Sequence, residues 1–340
     1  RIQTDETRLH RGVHALDFTA DPQGRTRIFA LGGSTTLGAR DHEAKNGFVE
    51  SLQVRLREAR PKASWELLNL GVAGMDSSGL PGMAREALRH APRGIVVYTG
   101  NNEVQAHLLE ACSQQASPWM ASLERSRMVR LLQNLLAPTP TPIDDIALIE
   151  WQDACTAGAV DAAVAERAPA VDGRRSDTLA LATRADFETH LDHLIQLTTD
   201  AEVDLWLAIP ALRLDEVPLG SRTEAPVEAL TEWRRAQDLL KAGERDGARA
   251  ALERAADWDY ATRRITPELQ EVIAARCGVH PLVHCVDLRP VFDADAAPGL
   301  PGGDQFSDAC HPSKPRGVYL IADALAEAIV DDIPDVGAHP

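Results

Sequence analysis

The chain has 340 residues, of which 44% are hydrophobic and 25% are charged, proportions typical of a globular protein rather than a disordered chain. Its 51 acidic and 35 basic residues give a net charge of −16, which disfavours a nucleic-acid partner, and no apolar run approaches the ~20 residues of a membrane span. This length predicts either two domains or one large α/β domain that carries insertions.

Short apolar, β-branched segments alternate with longer helical patterns, which is typical of a parallel α/β sheet. Strands are predicted at Arg27–Leu31, Trp65–Leu70, Ile95–Tyr98, Val203–Ile209 and Leu282–Val286. Helices are predicted near Gly47–Arg60, Leu80–His90, Phe187–Thr199, Pro267–Cys277 and Val318–Val330. The predicted fold is α/β, a flavodoxin-like three-layer α/β/α sandwich with a five-stranded parallel sheet and helical insertions.

Two segments interrupt the regular alternation of strands and helices. Residues 105–183 contain a Pro-rich break and are interpreted as a lid or inserted subdomain. Residues 225–266 have the spacing of small and apolar residues of a single tetratricopeptide-type helical hairpin, with an ordinary helical pair as the alternative. We expect an amino-terminal arm at 1–26 and a single domain at 27–340, in which the 225–266 hairpin offers a surface for protein contact.

Polar and glycine residues follow the predicted strands, where ligands bind in open parallel sheets. Ser34 follows two glycines after the first strand, Gly74 lies in NLGVAG after the second, and Asn102 lies in GNNE after the third. Before the last helix, Asp308 precedes His311 by three residues in DACH, a spacing that lets a carboxylate orient an imidazole. Each signal alone also fits an ordinary turn or helix cap.

Together and in this order, the four segments resemble the blocks of the SGNH hydrolase superfamily, also called GDSL esterases and lipases. The closest resemblance is to bacterial SGNH domains that accompany tetratricopeptide-like helices. It implies that Ser34 is the nucleophile, that His311 is the general base and then acid, and that Asp308 orients His311. It also implies an oxyanion hole of the Ser34 N–H, the Gly74 N–H and the Asn102 amide.

The resemblance has limits, and it leaves three functions open. Gly33 stands where the name-giving motif has Asp, and the long insertion is not covered. The first hypothesis is hydrolysis of an acyl or acetyl ester of a small or carbohydrate-like substrate through an acyl-serine intermediate. The second is acyl transfer to an acceptor hydroxyl by the same triad, and the third is a non-catalytic protein-binding scaffold. None of these requires a cofactor or a metal.

Other polar clusters in the sequence offer alternative sites. His190 and His193 share a helix face with Asp186 and Asp192 nearby, which fits either a metal site or, as we favour, a solvated face. The same alternatives apply to His10 and His14. Asp304 and Asp308 resemble a glycosidase carboxylate pair, but the triad explains their loop better. Two tryptophans of the insertion either line a pocket or anchor a lid: Trp119 and Trp151.

The five cysteines are odd in number and widely spaced, with no CxxC pair. They are interpreted as reduced thiols rather than a disulfide framework or a zinc site. Cys310, beside His311, is interpreted as a packed side chain rather than a nucleophile. Unpaired cysteines slightly favour a cytoplasmic location, but localisation stays open because a signal or anchor can precede Arg1.

Overall fold

The five apolar, β-branched segments form the strands of one parallel sheet. The computed structural model describes residues 2–3, 16–38, 47–116, 158, 160, 175–218 and 227–333. A two-residue antiparallel pair comes first, β1 (Ile2–Gln3) with β2 (Asp17–Phe18). The sheet strands are β3 (Thr26–Gly32), β4 (Trp65–Gly71), β5 (Gly94–Tyr98), β6 (Asp204–Ile209) and β7 (Val283–Asp287).

The sheet order is β4-β3-β5-β6-β7, and every neighbouring pair is parallel. The chain therefore starts inside the sheet, moves to one edge and then crosses back to the other. The order reverses at β3, which places the carboxyl ends of β3 and β5 side by side at a topological switch point. Sheets of this kind bind their ligands there, so the topology selects one edge for the functional residues.

Helices connect the strands and cover both faces of the sheet. They are α1 (Ser34–Leu37), α2 (Phe48–Ala59), α3 (Leu80–Leu88), α4 (Glu103–Ala116), α5 (Thr178–Asp200), α6 (Val227–Lys241), α7 (Arg245–Asp257), α8 (Pro267–Ala274), α9 (Arg289–Ala296) and α10 (Arg316–Asp332). In the described ranges, no helix combines the length and the apolar character needed to cross a bilayer.

Two hydrophobic clusters separate the helices into two layers. On one face of the sheet, Phe48 and Leu52 of α2 pack with Leu325 of α10. On the other face, Leu80 of α3 packs with Leu191 of α5. Both faces of the strands are thus buried, as their near-continuous apolar sequences predict. The flavodoxin-like three-layer α/β/α prediction is confirmed.

The two predicted insertions differ in what the structure describes. Helices α6 and α7 lie within 225–266, where Ala236 and Leu252 pack with Leu212 and Leu214 of the segment after β6. The hairpin thus buries its apolar face on the α/β core. Within 105–183, α4 and the start of α5 are described, whereas most of the segment between them, with Trp119 and Trp151, lies outside the described residues. The division into arm, domain and insertions stays a prediction.

The expectation that all five cysteines are reduced is wrong. Cys277, just after α8, and Cys285, in β7, form a disulfide with Cα atoms 5.5 Å apart. A short turn from the end of a helix into the adjacent strand brings these thiols together, and their spacing in the sequence gives no sign of it. The argument from unpaired cysteines for a cytoplasmic location therefore no longer holds. Cys310 is a free thiol. Cys155, His10 and His14 lie outside the described residues.

Candidate active site

A tight glycine turn carries Ser34 at the carboxyl end of β3. Ser34 is the first residue of the short helix α1, whose last turn closes on Gly38 in the left-handed region at φ 83°. A Cβ on Gly32 would lie 2.1 Å from the Tyr98 carbonyl oxygen, and one on Gly71 would lie 2.2 Å from the Leu37 nitrogen. Glycine is therefore needed at both positions because neighbouring backbone approaches too closely for any side chain.

The segment that carries Asp308 and His311 is a loop fixed by backbone and side-chain hydrogen bonds. Gln305 is 1% exposed, and its Nε2 donates to the Phe292 carbonyl oxygen at 2.7 Å. The Gln305 carbonyl oxygen accepts from the Ser313 N–H at 2.8 Å, and the Ser307 N–H donates to the His311 carbonyl oxygen at 2.9 Å. These bonds join both ends of the loop, so that it presents a fixed surface before α10 begins.

The structure brings Ser34, His311 and Asp308 together across 277 residues of sequence. The Ser34 Oγ lies 2.7 Å from His311 Nε2. On the other side of the ring, His311 Nδ1 lies 2.8 Å from each Asp308 carboxylate oxygen. Asp308 Oδ1 also accepts from the backbone N–H groups of His311, at 2.9 Å, and Cys310, at 3.1 Å. An acid, an imidazole and a hydroxyl thus form one hydrogen-bonded chain.

The electrostatics of these hydrogen-bonded side chains favour an ionised Asp308. Burial raises the pKa of Asp308, but the hydrogen bonds from the His311 ring and from the His311 and Cys310 N–H groups outweigh it, so the pKa falls below its usual range. The hydrogen bond to Asp308, with a smaller contribution from Cys310, raises the pKa of His311 despite its partial burial. Asp308 therefore stays charged and can stabilise a positive charge on His311.

The other two predicted site residues lie on neighbouring loops at the same sheet edge. Asn102 Nδ2 donates to the Met75 carbonyl oxygen at 2.9 Å, and a Cβ on Gly33 would lie 2.7 Å from this nitrogen. The Asn102 amide thus lies against the turn that carries Ser34. Gly74, one residue before Met75, has φ 72°, with no atom within 4 Å of where a Cβ would stand. The Gly74 loop, residues 72–77, is therefore joined to Asn102 by a direct hydrogen bond.

A cavity opens beside the Ser34 hydroxyl. Its volume is about 230 Å³ among the described residues, below the ~300–1,000 Å³ typical of sites for drug-sized ligands. Phe48, Pro312 and Val318 provide an apolar wall, and Ser34 and His311 provide the polar one. The remaining lining residues include Lys314, Ser307 and Thr35. The space suits a small group with an apolar part, placed next to the hydroxyl–imidazole pair.

Among the alternative clusters, the described one around His190 and His193 does not converge on one point. His190 Nδ1 lies 3.0 Å from Ser77 Oγ, and His193 Nε2 lies 2.6 Å from Arg85 on another element. The nearby acids contact residues of further elements: Asp186 Oδ2 lies 3.0 Å from His107 Nε2, and Asp192 forms an ion pair with Arg276.

The two carboxylates of the loop that carries His311, Asp304 and Asp308, differ in exposure and in their partners. The Asp304 side chain is 92% exposed, whereas that of Asp308 is 26% exposed and bonded to His311. Cys310 Sγ lies 3.7 Å from His311 Nδ1. Within the described part of the chain, Asp308, Cys310 and His311 form the one group of three His, Cys, Asp or Glu side chains close enough to bind the same metal ion. Asp308 and His311 are already hydrogen-bonded to each other.

Sequence reasoning missed the residues that support the site. Gln305 gives no pattern signal, and Glu103 stands in the sequence only as the residue that follows Asn102 in GNNE. In the structure Glu103 is buried and hydrogen-bonded to Ser77, at the end of the Gly74 loop. The adjacency of Asn102 and Glu103 in GNNE was the available signal, since one helix start places both side chains near the same loop.

No family model and no curated protein matches this chain. The chain is similar to the solved structure of LAE5, an alpha/beta hydrolase enzyme from the metagenome of Lake Arreo, Spain, with 17% identity over 89% of this chain and 94% of that one and a TM-score of 0.43. A catalytic mutant of Axe2, an acetylxylan esterase from Geobacillus stearothermophilus, has 12% identity, coverage of 90% and 94%, and a TM-score of 0.44. The acetyl xylan esterase AlAXEase has 13% identity, coverage of 89% and 100%, and a TM-score of 0.43.

Proposed function

We propose that this protein is a serine hydrolase of the SGNH type that cleaves an acyl or acetyl ester of a small or carbohydrate-like substrate. The observation that carries the proposal is the hydrogen-bonded chain from the Ser34 hydroxyl through His311 to Asp308, at 2.7 and 2.8 Å. Ser34 and His311 line the cavity at the carboxyl edge of the sheet, from which a substrate carbonyl has access to the Ser34 hydroxyl.

In the proposed reaction, Ser34 Oγ attacks the ester carbonyl carbon while its proton passes to His311 Nε2. Asp308 holds the Nδ1 proton and stabilises the imidazolium that forms. When the tetrahedral intermediate collapses, the carbon–oxygen bond to the alcohol breaks, and His311 returns the proton to the leaving oxygen. Water then attacks acyl-Ser34 with His311 again as the base, which releases the acid and restores the hydroxyl.

The negative charge of the tetrahedral intermediate needs donors, and the loops around Ser34 supply candidates. The Ser34 N–H lies in the first turn of α1, where backbone N–H groups have no acceptor within the helix. Asn102 Nδ2 carries two hydrogens, and one of them is used on Met75. We assign the Ser34 N–H, the second Asn102 hydrogen and the Gly74 N–H to the oxyanion hole. Loss of one such donor typically costs ~10²–10³ in rate.

The size and chemistry of the cavity support a short acyl group. Phe48 and Val318 provide apolar contact beside Ser34, and the volume of about 230 Å³ among the described residues accommodates a small acyl chain. Acyl transfer to an acceptor alcohol would use the same acyl-serine intermediate, with the alcohol in place of water.

The test is labelling and turnover by the protein and two serine variants. A fluorophosphonate probe and p-nitrophenyl acetate are given to the parent, to Ser34→Ala and to Ser64→Ala, an exposed serine next to the opposite end of the sheet. We expect labelling and turnover by the parent and Ser64→Ala, and neither by Ser34→Ala. Added glycerol or xylose that accumulates as ester would favour acyl transfer. Absence of labelling and turnover in the parent would favour the scaffold hypothesis.

A further inference from the structure

A buried chain of polar side chains lies behind the site and takes no part in the proposed acyl transfer. Glu103 is 2% exposed and Ser77 is fully buried. The Ser77 N–H lies 3.1 and 3.2 Å from the two Glu103 carboxylate oxygens, and Ser77 Oγ donates to Glu103 Oε2 at 2.8 Å. On the far side, His190 Nδ1 lies 3.0 Å from Ser77 Oγ. Three segments distant in sequence therefore meet at one serine.

A carboxylate at this position is expensive for the fold. Burial raises the pKa of Glu103 to about 7, although the Ser77 N–H and hydroxyl bonds act in the opposite direction. An apolar side chain would avoid that desolvation cost, but it would leave the buried Ser77 N–H without the acceptor that Glu103 provides. A carboxylate accepts directional hydrogen bonds from both the N–H and the hydroxyl of Ser77, which an apolar side chain cannot do.

Ser77, which Glu103 holds by these hydrogen bonds, is the last residue of the loop that carries Gly74. The loop begins at Val72, whose N–H donates to the Gly32 carbonyl oxygen at 2.9 Å, just before the Ser34 turn. Its middle is held by the 2.9 Å bond from Asn102 to Met75, and its end by Glu103 on Ser77. Gly74 lies between the attachments at Val72 and Met75, and the attachment at Ser77 follows them in the chain. The attachments at Met75 and Ser77 come from the consecutive residues Asn102 and Glu103, at the start of α4. The start of one helix therefore fixes both the loop and the Asn102 amide.

We propose that Glu103 is a positioning residue for the oxyanion hole, acting through Ser77 to hold the Gly74 loop in register with Asn102, and that His190 supports Ser77 from outside. The inference rests on the proposed acyl-transfer function, because it concerns donors that act only on the tetrahedral intermediate. With Glu103 truncated, the loop keeps its attachments at Val72 and Met75, but its end keeps only the contact of Ser77 Oγ with His190 Nδ1. Gly74 can then turn away from the developing oxyanion.

The expected effect falls on kcat rather than on KM. Donors aimed at the oxyanion act more strongly on the transition state than on the bound ester, so their misplacement lowers kcat and leaves KM little changed. For Glu103→Ala we expect a loss of ~10²-fold in kcat, the lower end of the range for losing one oxyanion donor. Glu103→Gln keeps the side-chain length and an oxygen for the Ser77 N–H, so it should recover most of the loss.

The experiment compares kcat and KM for p-nitrophenyl acetate, per active site titrated with the fluorophosphonate. The variants are Glu103→Ala, Glu103→Gln, Ser77→Ala and, as the matched control, Glu110→Gln on the exposed part of the same helix. The control should match the parent, and Ser77→Ala, which removes the hydroxyl but keeps the N–H, should show a smaller loss than Glu103→Ala. Ser77→Ala also tests the proposal if Glu103→Ala does not fold.

The outcomes distinguish the two proposals. A parent that neither labels nor turns over overturns the proposed function and this inference with it. An active parent whose Glu103→Ala and Ser77→Ala variants keep the parental kcat overturns the positioning role alone. So does a Glu103→Gln variant as slow as Glu103→Ala. A rise in KM at constant kcat would likewise contradict the inference, because it would place Glu103 in substrate binding instead.

Discussion

Replacing Asp308 by Asn tests the acid–base part of the site with little change in shape. Asp308 accepts from His311 Nδ1 at 2.8 Å and from two backbone N–H groups, those of His311 at 2.9 Å and Cys310 at 3.1 Å. An Asn can keep one oxygen for the backbone donors and turn its NH₂ toward Nδ1. The ring then favours the tautomer with its proton on Nε2, which cannot accept the Ser34 proton.

The expected loss follows from these contacts. A hydrogen bond to a charged group contributes ~1.5–3 kcal/mol, and the wrong tautomer and the loss of the charge that stabilises the imidazolium add to it. A total of ~4–5.5 kcal/mol corresponds to a fall of roughly 10³–10⁴ in kcat, since about 1.36 kcal/mol is a factor of ten. The rate should fall without loss of fold, because the two backbone bonds survive.

The assay is kcat/KM for p-nitrophenyl acetate from pH 5 to pH 11, corrected for spontaneous hydrolysis, and it has a second readout in the pH profile. In the proposed mechanism neutral His311 is the active form, and Asp308 raises the pKa of His311. The parental rate should therefore rise with pH through an inflection above the ordinary histidine value of ~6.5, and the inflection should move down in Asp308→Asn.

Asp304→Asn is the matched control, because Asp304 belongs to the same loop and its side chain is 92% exposed. It should keep the parental rate and profile. An Asp308→Asn variant that keeps more than about a tenth of the parental rate, or that leaves the inflection unmoved, would refute the assignment of Asp308 as the residue that orients His311.

Two further predictions concern the scaffold around the site. Gly71→Ala should destabilise the fold by ~1–3 kcal/mol and lower activity, because the new methyl would lie 2.2 Å from the Leu37 nitrogen in the helix that starts at Ser34. Gly82→Ala, with open space at its Cβ position, should neither destabilise the fold in urea unfolding nor lower activity in the esterase assay. Reduction of the Cys277–Cys285 disulfide, which closes a loop over 8 residues of sequence separation, should lower the free energy of unfolding by about 2.5 kcal/mol. An unchanged urea midpoint with dithiothreitol would contradict this.

The strands were predictable because buried parallel strands are nearly continuous in apolar residues, as in Ile95–Tyr98. The helix predicted to begin at Phe187 instead begins at Thr178, capped by Asp177, whose side chain accepts from the Ala180 N–H at 3.1 Å. The added turns bury Thr183, a polar residue that interrupts the apolar pattern. Helix boundaries of this kind depend on packing partners that the sequence does not identify.

For the site, the sequence indicates residues whose chemistry is distinctive and local. Asp308 and His311 lie three residues apart, so their pairing is visible as a spacing. The contact of Ser77 with His190 joins residues 113 positions apart, and each residue alone looks like a turn serine or a surface histidine. The disulfide and the Gln305 bonds were missed for the same reason, because only the fold brings their partners together.

The central claim is that Ser34 forms a covalent acyl intermediate. The direct measurement is rapid acid quenching of the protein during turnover of p-nitrophenyl acetate, followed by peptide mapping of the trapped acetyl group by mass spectrometry. We expect one acetyl group on the peptide that contains Ser34, bound through the hydroxyl and removed by hydroxylamine. An acetyl group found instead on Cys310 or Ser77, or turnover with no acetylated peptide at any quench time, would contradict the claim.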